Sequence, residues 1–134
     1  MVKKVFISHS SKDLWVTKQI QAKLKSIGLK TFLDEENIDI GDDFEKVILK
    51  ELRVSDELVV LLTPWALERP YVWLEIGAAW MNEIRIIVIL YGMSLDDFSS
   101  NPKNPILLKK SDVIQLNDFE TYLKQLKRRA GKKK

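Results

Sequence analysis

The sequence predicts an α/β domain built on a parallel sheet with helices on both faces. Three observations lead there. Short apolar runs alternate with helix-period stretches five times along the chain, and no change of composition, internal repeat or low-complexity linker breaks the alternation. Size is the third observation: 134 residues suit one domain and one core, and such a chain buries about two-thirds of its unfolded surface without a metal or disulfide staple.

Val5–Ile7 is a continuous apolar run, the pattern of a strand covered on both faces. Ser10 and Asp13 have capping-box spacing ahead of a helix marked by Val16, Ile20, Leu24 and Ile27, which Gly28 ends. Leu29–Leu33 reads as the second strand and Asp34–Gly41 as an acidic loop. Asp42, with Glu45, is the expected cap of a second helix striped by Phe44, Val47, Ile48 and Leu52. Leu58–Leu62 is the third strand, closed by Thr63-Pro64. Pro70 opens a third helix running to about Glu83, since a first turn tolerates proline. Ile86–Leu90 is the fourth strand and Gly92–Pro105 a long loop. Val113–Leu116 is a weaker fifth strand, and Asp118–Arg129 a closing amphipathic helix. The expected topology is flavodoxin-like: a five-stranded parallel sheet of order 2-1-3-4-5. Its ligand crevice lies at the carboxyl ends of strands one and three, where the order reverses.

Composition removes several chemistries. With no cysteine, the chain has no disulfide scaffold, no thiolate nucleophile and no sulfur-based zinc site, and it suits a reducing compartment. The amino terminus is too weakly apolar for a signal peptide, and no uninterrupted apolar run is long enough to cross a bilayer. A cytoplasmic protein without a membrane partner is expected. The net charge of +3 hides an asymmetry: residues 124–134 carry seven basic groups and no acid, leaving 15 basic against 19 acidic residues in the body. That tail, 127–134 beyond a core of about 4–126, reads as a solvated helix end favoured by the helix dipole. Nucleic acid is not an expected partner.

Four segments in order resemble the Toll/interleukin-1 receptor (TIR) domain family, especially its bacterial members. Phe6-Ile7-Ser8-His9-Ser10-Ser11-Lys12-Asp13 resembles the family's first box. Phe32-Leu33-Asp34 with the acidic loop and Gly41 resembles the second strand and the loop after it. Leu61-Leu62-Thr63-Pro64 with Ala66-Leu67 resembles the approach to the catalytic helix, and Tyr71-Val72-Trp73-Leu74-Glu75 stands where many members have tryptophan, cysteine, two variable residues and glutamate. Tyr71 departs from that tryptophan but keeps an aromatic face.

The resemblance implies cleavage of the nicotinamide–ribose bond of NAD, with NAD as substrate and neither cofactor nor metal required. Glu75 is the implied catalytic carboxylate and Tyr71 a stacking ring one turn earlier. His9 is implied as a pocket wall, Ser10 and Ser11 as phosphate or ribose contacts, and Asp39 as a nucleotide contact. Each has a plainer reading: Glu75 as a near-surface glutamate favouring the helix dipole, Ser10 as a cap, Asp39 as a solvated loop charge. The resemblance also implies other TIR domains as partners, with homo-oligomers on activation and a role in bacterial defence signalling. The alternative function is a TIR scaffold without catalysis. A phosphoacceptor receiver of the same topology fits poorly, because Ser8-His9-Ser10 stands where it needs an acidic cluster.

Overall fold

The computed structural model describes residues 2–33, 41, 43–100 and 113–131. Asp39, most of the acidic loop, Asp42 and Lys132–Lys134 lie outside the described residues. The elements run β1 (Lys4–Ser8), α1 (Leu14–Ser26), β2 (Lys30–Leu33), α2 (Phe44–Arg53), β3 (Glu57–Leu62), α3 (Pro70–Met81), β4 (Arg85–Leu90), α4 (Leu95–Ser100), β5 (Val113–Gln115) and α5 (Phe119–Gly131). All strands pair in parallel in the order β2-β1-β3-β4-β5, as expected.

Strand side chains alternate faces, so one sheet feeds two cores. Phe6, Phe32, Leu58, Val60, Leu62, Val88 and Leu90 pack with Ile48 and Leu52 of α2, Val72 and Ile76 of α3, and Phe98 of α4. Val5, Ile7, Leu33, Val59, Leu61 and Ile89 pack on the other face with Ile20 and Leu24 of α1 and Phe119, Tyr122 and Leu126 of α5. Across β1 and β2 the Phe6 and Phe32 rings stack with centroids 4.9 Å apart. Each fully buried side chain of this size contributes about 1.5–3 kcal/mol relative to exposure.

Four local expectations are corrected. Asp13 does not complete a capping box for α1; Ser10 caps a short 3-10 turn, Ser11–Asp13, by accepting from the Lys12 amide at 3.2 Å, and α1 starts at Leu14. Asp13 instead turns inward to meet Thr63. The cap of α2 is Asp43, whose carboxylate accepts from the Lys46 amide at 3.2 Å. The stretch expected as a loop from Gly92 contains α4, started by a reciprocal cap. The Asp97 amide donates to the Ser94 hydroxyl at 3.0 Å and the Ser94 amide to the Asp97 carboxylate at 3.4 Å, while Phe98 anchors the turn in the core. Finally, α3 stops at Met81: the Ile84 amide reaches back to the Ala79 carbonyl at 2.9 Å with Glu83 in the left-handed region at φ 57°. Gly28, at φ 91°, makes the equivalent stop after α1 without a side-chain clash.

Candidate active site

The carboxyl ends of β1 and β3 meet the amino end of α3 at the reversal of strand order. Ser8 is the last residue of β1 and follows Phe6 by two, so it faces the α2–α3 side. On α3, Val72, Glu75, Ile76 and Ala79 form the inward stripe, spaced i, i+3, i+4, i+7. Ser8 and Glu75 therefore meet: the Ser8 hydroxyl donates to Glu75 Oε1 at 2.5 Å, with Ser8 fully buried and Glu75 1% exposed. The expectation of a near-surface glutamate is overturned, because Glu75 occupies the packing stripe rather than the solvent face. A carboxylate accepting from a hydroxyl is a short, charge-assisted bond.

Beside this pair, the Arg69 guanidinium donates to the His9 carbonyl and lies 6.0 Å from the centroid of the Tyr71 ring. His9 is fully buried directly after β1. Tyr71, one turn before Glu75, leans toward α2: its ring meets Phe44 edge-on at 5.1 Å, and its hydroxyl donates to Glu45 at 3.3 Å. Desolvation, followed by the Glu45 carboxylate, raises the Tyr71 hydroxyl above its ordinary pKa, and Arg69 opposes them.

A second tie joins the loops after β1 and β3. Thr63 donates to the Asp13 carboxylate at 2.6 Å while its own oxygen accepts from the Ala66 amide at 3.1 Å. Asp13 and Thr63 are both buried, so this tie fixes the approach from β3 to α3. Ser10 spends its oxygen on the cap described above, and Ser11 is exposed at the start of that turn. Among the sequence-predicted residues, then, the structure brings Glu75, His9 and Tyr71 to one edge, with Ser10 and Ser11 on the adjoining turn. Sequence reasoning passed over Ser8 and Arg69 as site residues. The signal for Ser8 was a polar residue ending an apolar strand on the parity of Phe6; for Arg69 it was a cation immediately before the proline that opens α3.

These elements place a buried carboxylate on the same helix end as an aromatic ring and a guanidinium. A comparison with curated proteins finds no match. Among solved structures, the TIR domain of the Toll-related receptor TRR-2 from Hydra magnipapillata has a TM-score of 0.75 at 20% identity, over 96% of this chain and 98% of that one. A metazoan TIR-STING receptor from C. gigas, solved in complex with 2',3'-cGAMP, has a TM-score of 0.70 at 18% identity, over 92% of this chain and 39% of that one. A 2-desoxiribosyltransferase from Leishmania mexicana has a TM-score of 0.70 at 15% identity, over 91% of this chain and 97% of that one. Those identities speak for the fold alone. The family comparison reaches the sequence itself: residues 5–127 match the family described as TIR domain, and the chain belongs to that family.

Proposed function

We propose that the protein is an NAD+ nucleosidase that cleaves the nicotinamide–ribose bond, with Glu75 as the catalytic carboxylate. The observation that carries this reading is the buried Ser8–Glu75 pair at the reversal of strand order. Nicotinamide leaves with the electron pair of the C–N bond, which neutralises its ring, so the leaving group needs no proton. The positive charge passes to the ribose as an oxocarbenium-like centre, and a fixed carboxylate beside it stabilises that charge and orients the ribose hydroxyls. Water then attacks and sheds a proton to give ADP-ribose; attack by a nitrogen of the adenine would close a cyclic isomer instead. Tyr71 and Arg69 form the wall beside the leaving group, His9 backs it, and Ser10, Ser11 and Asp39 serve the rest of the nucleotide. The wider reading is a cytoplasmic bacterial defence protein active as a homo-oligomer, with the acidic loop from Asp34 to Gly41 in the contact.

The second reading is a non-catalytic scaffold that binds other TIR domains. It is favoured by the outer face of α3, where Leu74, Trp80 and Met81 are exposed on the helix that bears Glu75. One experiment separates the two: concentrated protein is incubated with NAD and the products are resolved chromatographically across a hundredfold dilution series. Release of nicotinamide, rising per molecule with concentration, supports an assembled enzyme. No release at any concentration, from protein that self-associates by light scattering, leaves the scaffold.

A further inference from the structure

At the opposite, amino-terminal end of the sheet lies a pocket of about 440 Å³, lined by Val2, Lys3, Ile27, Gly28, Leu29, Lys30, Lys127 and Ala130. Its volume falls in the range of roughly 300–1,000 Å³ typical of small-molecule sites. Three segments build it. The Val2 amide donates to the Arg129 carbonyl at 3.4 Å, tying the chain's start to α5, and the Lys30 amide donates to the Lys3 carbonyl at 2.9 Å where β2 begins. The Gly28 stop of α1 supplies the third side, and a Cβ built there meets nothing within 4 Å.

The lining has two chemistries. Val2, Ile27, Leu29 and Ala130 make an apolar floor, and Lys3, Lys30 and Lys127 are exposed basic residues of the same lining. None of these three has a carboxylate ion-pair partner among the described residues, whereas Lys4 pairs with Glu51 and Lys23 with Glu120. The nearby Asp56 carboxylate is engaged by the backbone amides of Lys3 and Lys4 at 2.7 and 3.0 Å. Three basic residues on one pocket, none of them in an ion pair among the described residues, favour an anion there. Inorganic anions need no apolar floor, and a neutral apolar molecule needs no lysines.

We propose that this pocket binds an amphipathic anion: a carboxylate, phosphate or sulfonate head held by Lys3, Lys30 and Lys127, with a short acyl or aryl body on Val2, Ile27, Leu29 and Ala130. Because it bridges the chain's start, α1 and α5, its occupant stabilises the fold by an amount that grows with the logarithm of one plus its concentration over Kd. The probe is octanoate, with octyl glucoside (same chain, no charge) and inorganic phosphate (charge, no chain) as controls. Amide chemical-shift changes and the thermal midpoint are read on the whole chain. Saturable shifts at Val2, Ile27, Leu29 and Ala130 with a raised midpoint are expected for octanoate. The affinity should fall at least tenfold for both controls and for Lys30→Gln/Lys127→Gln. Ala130→Phe, which fills the floor and leaves the lysines, should weaken octanoate comparably. Equal binding by the lysine variant, phosphate binding as tightly as octanoate, or scattered shifts would overturn the proposal. Retention on phosphatidylglycerol vesicles without any response to octanoate would overturn it too, placing the charge at a membrane surface instead.

Discussion

Two glutamates, Glu57 and Glu75, are each 1% exposed, and they stand at opposite ends of the same sheet. Glu57 opens β3 at the amino end. Arg129 grips it from α5 with two hydrogen bonds of 2.9 and 3.2 Å, and the Tyr122 hydroxyl donates to it at 2.9 Å. Glu75 stands at the carboxyl end, where the Ser8 hydroxyl donates to it at 2.5 Å. The difference lies in the partner. A planar guanidinium saturates a carboxylate in a fixed fork and ties α5 to the sheet. A serine hydroxyl orients a carboxylate without neutralising it. The first arrangement ties a helix to the sheet, and the second ties the start of α3 to the end of β1, where the proposed chemistry is placed.

The largest expected contrast is between the two amide substitutions. Glu75→Gln should lower NAD turnover per folded molecule by about 10²–10³-fold, as removal of a charge-stabilising group does. Glu57→Gln should leave turnover per folded molecule intact but cost about 2–3 kcal/mol of stability, somewhat below a fully buried pair because Arg129 is 28% exposed. Turnover and denaturant midpoints measured on both variants decide it; wild-type turnover by folded Glu75→Gln would remove Glu75 from the chemistry.

Ser8 sharpens the contrast. Ser8→Ala should reduce kcat about tenfold, the worth of a hydrogen bond to a charged group, and leave KM near wild type. Ser8→Thr, which restores the hydroxyl, should recover most of the loss. A fall that follows the melting temperature and is not rescued by threonine would make Ser8 a packing residue only. For Tyr71, alanine should reduce activity roughly two- to tenfold and tryptophan should preserve it, as expected for an aromatic contact. Alanine behaving like wild type would free the wall of any role.

The Glu57 end also makes an alkaline prediction. Burial, and then the adjacent Glu57, raises the Tyr122 hydroxyl far above its ordinary 10.0. In the unfolded chain this group ionises near pH 10, while in the folded chain it stays neutral. Its contribution is therefore whole below pH 10 and is lost as pH rises above it, by up to about 1.4 kcal/mol per unit. Tyr122→Phe should flatten the fall in stability between pH 10 and 11, measured by chemical denaturation; an unchanged slope would deny the linkage. The smallest effect is at the end of α3: Glu83→Gly should stabilise by about 0.5–1 kcal/mol by relieving the left-handed φ.

Much of this molecule is legible in order along the chain. Short continuous apolar runs locate all five strands of the sheet, and a 3.6-residue period locates four of the five helices among the described residues, because a strand covered on both faces is apolar throughout while a helix buries one stripe. The alternation gives the parallel sheet, and the reversal of its order marks the edge where ligands fit. The missing helix, α4, has a cap at Ser94 and Asp97 but a single buried anchor, Phe98, too little periodicity to outweigh the loop-like residues around it. Spacing alone also puts Glu75 on the stripe of Val72, Ile76 and Ala79; the general preference of glutamate for water is what hides it.

Other features belong to the tertiary structure. Ser8 and Glu75 are 67 residues apart and Glu57 and Arg129 are 72 apart, so no local pattern pairs them. Arg69 joins His9 to Tyr71 only because the loop after β1 comes to lie beside the start of α3. The three lysines of the amino-end pocket come from the chain's start, the first residue of β2 and α5, which only the fold brings together. Sequence determines which residues must be buried, because burial is a property of each side chain and its spacing. Which partners a buried charge meets depends on distant strands and helices arriving at one place, and that only the folded chain decides.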